Sequence, residues 1–304
     1  MNDTLLLIDA NSLIHRAFHA LPPLTSPDGK PAGALYGVSS ILLKIFKEGP
    51  TGQGPAGYIA AAFDRQEPTF REKEYKEYKI TRAPTATELV SQLIECRELF
   101  KTFGIKTFEF PGFEADDIVF ALAQKFSAKG LKVFILSGDR DLLQAVDDNK
   151  IQVIMPQRGI SDILIYDEIS VMGKFGVSPK QFADYKGLVG DTSDNIPGVP
   201  GIGPKTATNL IGEYKSLEGL YEEVDGVGLV NVKMQEKLKT YREQAFLSKR
   251  LATLNKDVPL NVSLDDLRFK LPSYESLSVY FDKFGFKTLL ERFQRYSSDQ
   301  HPEE

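Results

Sequence analysis

Three apolar runs in this chain each close on a carboxylate. LLLID ends at Asp9, YIAAAFD ends at Asp64, and KVFILSGDRD ends on Asp139 and Asp141. Short apolar runs bounded by turn residues are the mark of strands buried on both faces. Helical patterns lie between them: ALYGVSSILLKIF (34–46), ELVSQLIECRELFKTF (88–103) and FEADDIVFALAQKFSAKG (113–130). IKTFEF adds a further strand. Strands alternating with helices predict a mostly parallel, twisted sheet flanked by helices, an α/β fold. In such a sheet the acid-bearing strand ends share one edge, which is where ligands bind. Asn11 or Ser12 is the expected cap of the helix after Asp9, and Thr85 with Glu88 has capping-box spacing ahead of another.

The pattern changes near residue 170. Ser178 and Pro179 are suited to open the helix PKQFADYKGLVG. A turn rich in Gly and Pro follows, DTSDNIPGVPGIGPK, and then the helix TATNLIGEY. Further helices are expected over 216–224, 230–250 and 274–295, and SSDQHPEE reads as a polar tail. The expected organisation is an α/β unit over 1–172, a helical unit over 173–296 and a tail over 297–304. Gly198, Gly201 and Gly203 precede Lys205. No strand leads into them and the Walker spacing fails, so neither a dinucleotide fingerprint nor a P-loop is present. A tight helix–turn–helix would need glycines for geometry alone. A helix on each side of G-I-G-P-K also suits a hairpin that grips a DNA backbone without reading bases.

Charge gives the acids their meaning. The chain of 304 residues has 37 basic and 42 acidic side chains, net −5. Nine acids occupy the positions singled out by strand ends, the first turn of the 113–130 helix and the glycine turn: Asp9, Asp64, Glu114, Asp116, Asp117, Asp139, Asp141, Asp191 and Asp194. Each one alone can be a turn residue or a helix cap, and acids in a first turn suit the helix dipole. Five or more on one edge repel one another by kilocalories and call for cations or raised pKa values. Arg140 is the one cation inside these motifs, so divalent metal is the simplest compensation. An all-oxygen set favours Mg²⁺ or Mn²⁺. Without the nine acids the balance is 37 basic to 33 acidic. An acidic pocket on a mildly basic surface suits metal-dependent phosphodiester hydrolysis. Residues 65–82 are basic, six charges against four, with Tyr75 and Tyr78 interleaved. A charged solvated helix would show the same pattern. Cys96, the single cysteine, excludes a disulfide framework. The start MNDTLLLIDAN lacks a basic n-region, and no apolar run reaches membrane-spanning length, so the expected compartment is the cytoplasm.

LLLIDANSLIHRAFHALPPL, AAFDRQEPTFR, EYKITRAP, GFEADDIV, SGDRDLLQ and GLVGDTSDNIPGVPGIGPKTA together resemble the 5′-to-3′ nuclease domain of bacterial DNA polymerase I, in the flap endonuclease superfamily. These motifs span about residues 5–210, and FGFKTLLERF is similar as well.

The resemblance implies a PIN-like α/β domain, a helical arch at about 65–85 and a helix-three-turn-helix at about 180–211. It implies a structure-specific 5′-to-3′ exonuclease and 5′-flap endonuclease acting in Okazaki-fragment RNA-primer removal and in repair. Two Mg²⁺ or Mn²⁺ ions about 3.5–4 Å apart would act on the scissile bond. On this pattern Asp9, Asp64, Glu114 and Asp116 surround one metal, and Asp139, Asp141 and Asp194 the other, with Asp117 and Asp191 in support. Asp194 is preferred to Asp191 as the direct ligand because it stands seven residues before the GIG turn. Arg16, Arg71, Lys79 and Arg82 are expected phosphate contacts, Lys79 and Arg82 acting with the catalytic set, and Tyr78 would stack a base. Gly198, Gly201, Gly203 and Lys205 would hold downstream duplex, with K⁺ at the turn, and Lys186 would face the same duplex. The implied partners are DNA with 5′ flaps, nicks or 5′ ends, RNA-primed ends included, and a linked or cooperating polymerase. No membrane partner is expected, and the chain is expected to be monomeric. Ala10 departs from the family, which usually has glycine there, and implies that no positive φ is needed. A PIN-type ribonuclease would lack the arch and glycine turn. A non-catalytic junction binder would not need the acids.

Overall fold

The computed structural model describes residues 3–50, 52, 54–157, 163–226 and 231–300. Six strands form one sheet: β1 (Thr4–Asp9), β2 (Tyr58–Ala62), β3 (Lys106–Phe108), β4 (Lys132–Leu136), β5 (Ile151–Pro156) and β6 (Ile163–Tyr166). Their order is β3-β2-β1-β4-β5-β6. The first five run parallel, and β6 adds an antiparallel edge. Leu7 of β1 pairs with Ala60 on one side and Ile135 on the other, so β1 is central.

Alternation along β1 sends its side chains to two cores. Leu6 and Ile8 meet α1 (Ala10–Ala20), α2 (Gly33–Glu48) and, beyond α3 (Phe70–Glu74), α4 (Thr87–Thr102). Leu5 and Leu7 meet α5 (Ala115–Ser127) on the opposite face. All four are fully buried, each worth roughly 1.5–3 kcal/mol relative to exposure.

After β6 come α6 (Glu168–Phe175), α7 (Phe182–Val189), α8 (Pro204–Tyr214), α9 (Leu217–Asp225), α10 (Val232–Thr240) and α11 (Arg242–Ala252). Phe182, Ile202, Leu217 and Ala245 from this stretch join the core beneath α5. The chain then crosses back: α12 (Tyr274–Phe284) and α13 (Lys287–Gln300) put Phe281 and Phe293 into the α2–α4 core. The sequence reading groups 274–296 with the helical unit, whereas these residues pack with the α/β half.

Other departures have local causes. β5 and β6 are not expected from the sequence, because IQVIMP and ILIY are too short to separate from loop by periodicity. The 230–250 helix is two helices meeting at Tyr241, and residue 230 lies outside the described residues. The 274–295 helix is broken by Gly285, whose φ of 70° closes α12 in left-handed backbone. The expected tail at 297 is still helix to Gln300, and 301–304 lie outside the described residues. Neither Asn11 nor Ser12 caps α1; Asp9 does. Ala86 precedes α4 without a side-chain cap, so the Thr85 expectation fails. Ser178 does cap its turn, reciprocally with Gln181. No helix of the described residues is long and apolar enough to cross a membrane.

Candidate active site

The carboxylates arrive at one edge because each ends an element. Asp9 is the last residue of β1 and the cap of α1; its Oδ1 accepts the Ser12 N–H at 3.1 Å and its Oδ2 the Ser137 hydroxyl at 2.7 Å. Asp64 follows β2 and accepts the Ala115 N–H at 2.7 Å. Glu114 caps α5 in a reciprocal box with Asp117. Asp139 caps the short 3₁₀ turn Arg140–Ala145, accepting the Asp141 N–H at 2.8 Å. The capping and catalytic readings of these acids therefore coexist. Asp9, Asp64, Glu114, Asp116 and Asp139 line one pocket of about 250 Å³, with His15, Lys79 and Arg82.

Burial drives the electrostatics. It pushes the Asp9 carboxyl up to about 7, with the Ser137 hydrogen bond opposing and Asp64 adding repulsion. Burial likewise pushes Asp141 up to about 7, against the pull of Lys186. Asp116 is raised by burial and by Asp117. Burial works against ionisation of Asp191 too, but the adjacent Lys186 ammonium holds its carboxyl below the usual range.

Four cations reach into this cluster, more than the motifs suggest. Arg71 is only 2% exposed. It bonds both Asp117 oxygens at 2.7 and 2.8 Å, Glu114 at 3.1 Å, and the Leu251 and Thr253 carbonyls at 2.8 and 3.0 Å. Lys79 donates to Glu114 at 2.5 Å, and Arg82 to Asp194 at 2.5 Å. Lys186 bridges Asp141 and Asp191, the latter at 2.6 Å.

Three expectations are corrected by this arrangement. Arg71 is sealed beneath the site and cannot touch a phosphate. Tyr78 is 5% exposed, its hydroxyl 3.1 Å from both Glu114 and Asp194, so it has no face free for a base. Lys186 is held between two carboxylates at the groove wall, so its ammonium is not free for a phosphate. Asp191 shares Lys186 with Asp141, and the tight turn pairing Asp191 with Ile196 puts Asp194 beside Arg82. Of the other expected contacts, Arg16 donates to the Gln157 carbonyl, whereas Lys205 is exposed in the first turn of α8.

The 65–85 segment is not a long helix. α3 ends at Glu74, and Lys79 has a φ of 56°. The stretch is pinned to the helical half: the Lys79 N–H donates to the Asp194 carbonyl at 2.9 Å, Asn195 to the Glu77 carbonyl at 2.7 Å, and Arg250 to Glu74 at 2.7 Å. It neither stands free nor forms the solvated helix that its Glu72–Lys76 spacing suggests.

The glycines differ in what the backbone asks of them. Gly198 has φ +61°, and a Cβ there would lie 2.3 Å from the Gly190 nitrogen. Gly203 has φ −92°, and a Cβ would meet nothing within 4 Å. The turn and the acidic edge are joined by a groove of about 690 Å³ running from Asp139 to Pro204.

Among the described residues no three His, Cys, Asp or Glu side chains converge closely enough to hold a metal ion as they stand. The chemistry of the set nonetheless fits a hard divalent cation: oxygen donors only, from the buried Asp9, Glu114 and Asp141 to the exposed Asp64, three of them with raised proton affinity. Ser137, which donates to Asp9, escapes the sequence reading although it lies within its motifs, and Asn11, expected as a helix cap, instead accepts the Asp64 N–H. His15 stands in the sequence as a helix-surface residue at i,i+4 spacing from His19, whereas it lines the carboxylate pocket.

Family models for the 5′-3′ exonuclease match along the chain, its N-terminal resolvase-like domain over residues 4–176 and its C-terminal SAM fold over 177–275. The chain belongs to the 5′-3′ exonuclease family. It is 41% identical over 296 residues to DNA polymerase I of Bacillus subtilis (strain 168), covering 97% of this chain and 33% of that protein. It is 38% identical over 292 residues to DNA polymerase I of Mycobacterium tuberculosis (strain ATCC 25618 / H37Rv), covering 95% and 31%. The chain thus spans about a third of the length of these curated relatives. Among solved structures, T5 5′-exonuclease with divalent zinc bound superposes with a TM-score of 0.66 at 23% identity, covering 96% of this chain and 97% of that one. The catalytic core of Rad2 in complex with DNA substrate gives 0.61 at 17% identity, covering 97% and 92%. At these identities the structures speak for the fold: a PIN-like sheet followed by a helical unit.

Proposed function

We propose that this 5′-3′ exonuclease family member is a divalent-metal-dependent nuclease that cleaves DNA at 5′ ends and 5′ flaps, RNA-primed ends included, in primer removal and repair. The observation that carries this reading is the pocket lined by carboxylates from the ends of β1 and β2, the turn after β4 and the head of α5, which adjoins at Gly138 and Asp139 a groove reaching Gly203 and Pro204 at the head of α8. The relatives are DNA polymerases, and similar folds have been solved with divalent ions and with DNA.

In this reading Asp9, Asp64, Glu114 and Asp116 would hold one Mg²⁺ or Mn²⁺ ion. Asp139 and Asp141 would hold a second, with Asp191 and Asp194 on either side of the turn that completes it. Bound there, such ions neutralise phosphate charge and lower the pKa of water. Ser137 fixes the rotamer of Asp9, and the Ala115 N–H fixes that of Asp64. Arg71 locks the first turn of α5, so Glu114 and Asp116 present their oxygens without rearrangement. Lys79 and Arg82 hold positive charge at the pocket mouth, where an incoming phosphodiester gives them a second anion. The exposed Lys205 and the open backbone at Gly203 grip duplex by its phosphates, with K⁺ at the turn carbonyls in the same role, and the enzyme works where bacterial DNA is, in the cytoplasm.

The test is hydrolysis of a 5′-flap duplex. Cleavage with Mg²⁺ or Mn²⁺ that leaves 5′-phosphate products, and none in EDTA, supports the reading. Full activity in excess EDTA would falsify it.

A further inference from the structure

Four of the cations around the acidic edge are spent on carboxylates: Arg71, Lys79, Arg82 and Lys186. Arg140 is different. It sits between Asp139 and Asp141, exposed, and among the described residues no hydrogen bond or ion pair reaches its guanidinium. Its side chain lines the groove of about 690 Å³ that begins at Asp139, where the carboxylate pocket ends, and runs to Gly203 and Pro204. Phe175 and Tyr185 supply apolar wall. At the far end Gly203 keeps the groove open, and neither its φ nor a Cβ clash requires a glycine there. A cation beside two carboxylates and tied to neither, facing an open groove, is suited to a polyanion that passes through.

We propose that Arg140 binds a backbone phosphate of the cleaved strand, on the stretch between the carboxylate pocket and the head of α8. The ligand class is a phosphodiester chain, read without base preference. Its planar fork matches two phosphate oxygens in a way an ammonium cannot. This assignment rests on the nuclease reading above.

The test measures duplex binding in EDTA, where chemistry is silent, and steady-state cleavage with Mg²⁺, for wild type, Arg140→Gln, Arg140→Lys and Lys205→Ala. The exposed, unpaired side chain can be replaced without disturbing the fold, and a melting curve confirms this. Arg140→Gln should bind duplex about tenfold more weakly. Its log K against log salt slope should fall by about one unit. KM should rise with kcat little changed, the sign of binding shared by ground and transition states. Arg140→Lys should recover part of the affinity. Mn²⁺ titration followed by electron paramagnetic resonance should give wild-type affinity for Arg140→Gln. If Mn²⁺ affinity changes while duplex affinity and salt slope stay wild-type, Arg140 only screens Asp139 and Asp141, and the proposal is overturned. Normal duplex affinity in Arg140→Gln with a loss in Lys205→Ala also overturns it while leaving the nuclease reading intact. A wild-type chain that binds no duplex removes that reading itself.

Discussion

Arg71 and Asp117 face each other through two hydrogen bonds of 2.7 and 2.8 Å in a place closed to solvent. The same guanidinium reaches Glu114 and two carbonyls at the end of α11, so five bonds are fixed by one side chain. Removing one partner of a buried pair strands the other charge. Arg71→Ala should therefore cost about 3–5 kcal/mol in urea unfolding. Arg71→Lys should cost less but still lower nuclease activity, because an ammonium cannot hold Asp117 at two points. Wild-type stability in Arg71→Ala would show that the pair does not hold the two halves together.

Asp139→Asn keeps an oxygen that can accept the Asp141 N–H and loses the charge. Turnover should drop on the order of a hundredfold or more with an unchanged circular dichroism spectrum and melting temperature. An active variant would remove Asp139 from the catalytic set.

Lys79 and Arg82 neutralise Glu114 and Asp194 directly. The Lys79→Ala/Arg82→Ala double variant should lose flap cleavage and leave its carboxylates short of counter-charge. Added Mn²⁺ should then raise its melting temperature by more than it raises that of wild type, since ligand linkage at a hundredfold excess over Kd is worth about 2.7 kcal/mol and grows with affinity. Equal shifts in calorimetry would argue that the two cations act only on substrate.

Gly198 and Gly203 should separate fold from grip. Gly198→Ala places a Cβ 2.3 Å from the Gly190 nitrogen in left-handed backbone and should destabilise the chain by more than about 1 kcal/mol. Gly203→Ala should stay within about 1 kcal/mol of wild type in stability and yet bind duplex more weakly. Thermal melts paired with fluorescence anisotropy distinguish the two outcomes.

The acidic edge was legible because strand ends announce themselves: an apolar run that stops at a charge can stop in only one kind of place. Asp9, Asp64 and Asp139 follow from that alone. Their counter-charges were hidden, since Arg71 meets Asp117 across 46 positions and Lys186 meets Asp141 across 45, distances at which pattern carries no signal. Tyr78 is deceptive in the sequence for the same reason. An aromatic in a basic run looks like a stacking surface until its burial is known. β6 escaped because four residues at a sheet edge have too few alternations to show a period.

Arg71 finds its last two acceptors at Leu251 and Thr253, some 180 residues further along the chain. Asn255 gives Asp117 its remaining backbone donor from the same stretch, at 2.8 Å. At about 5–20 residues per second of synthesis, roughly ten to forty seconds separate the emergence of the arginine from that of its partners. During that interval the sheet and α5 can form, but the arginine under Glu114 and Asp117 has three of its five bonds. The strut under the acidic edge is thus completed only after residues 251–255 have been made, well behind the carboxylates that it steadies.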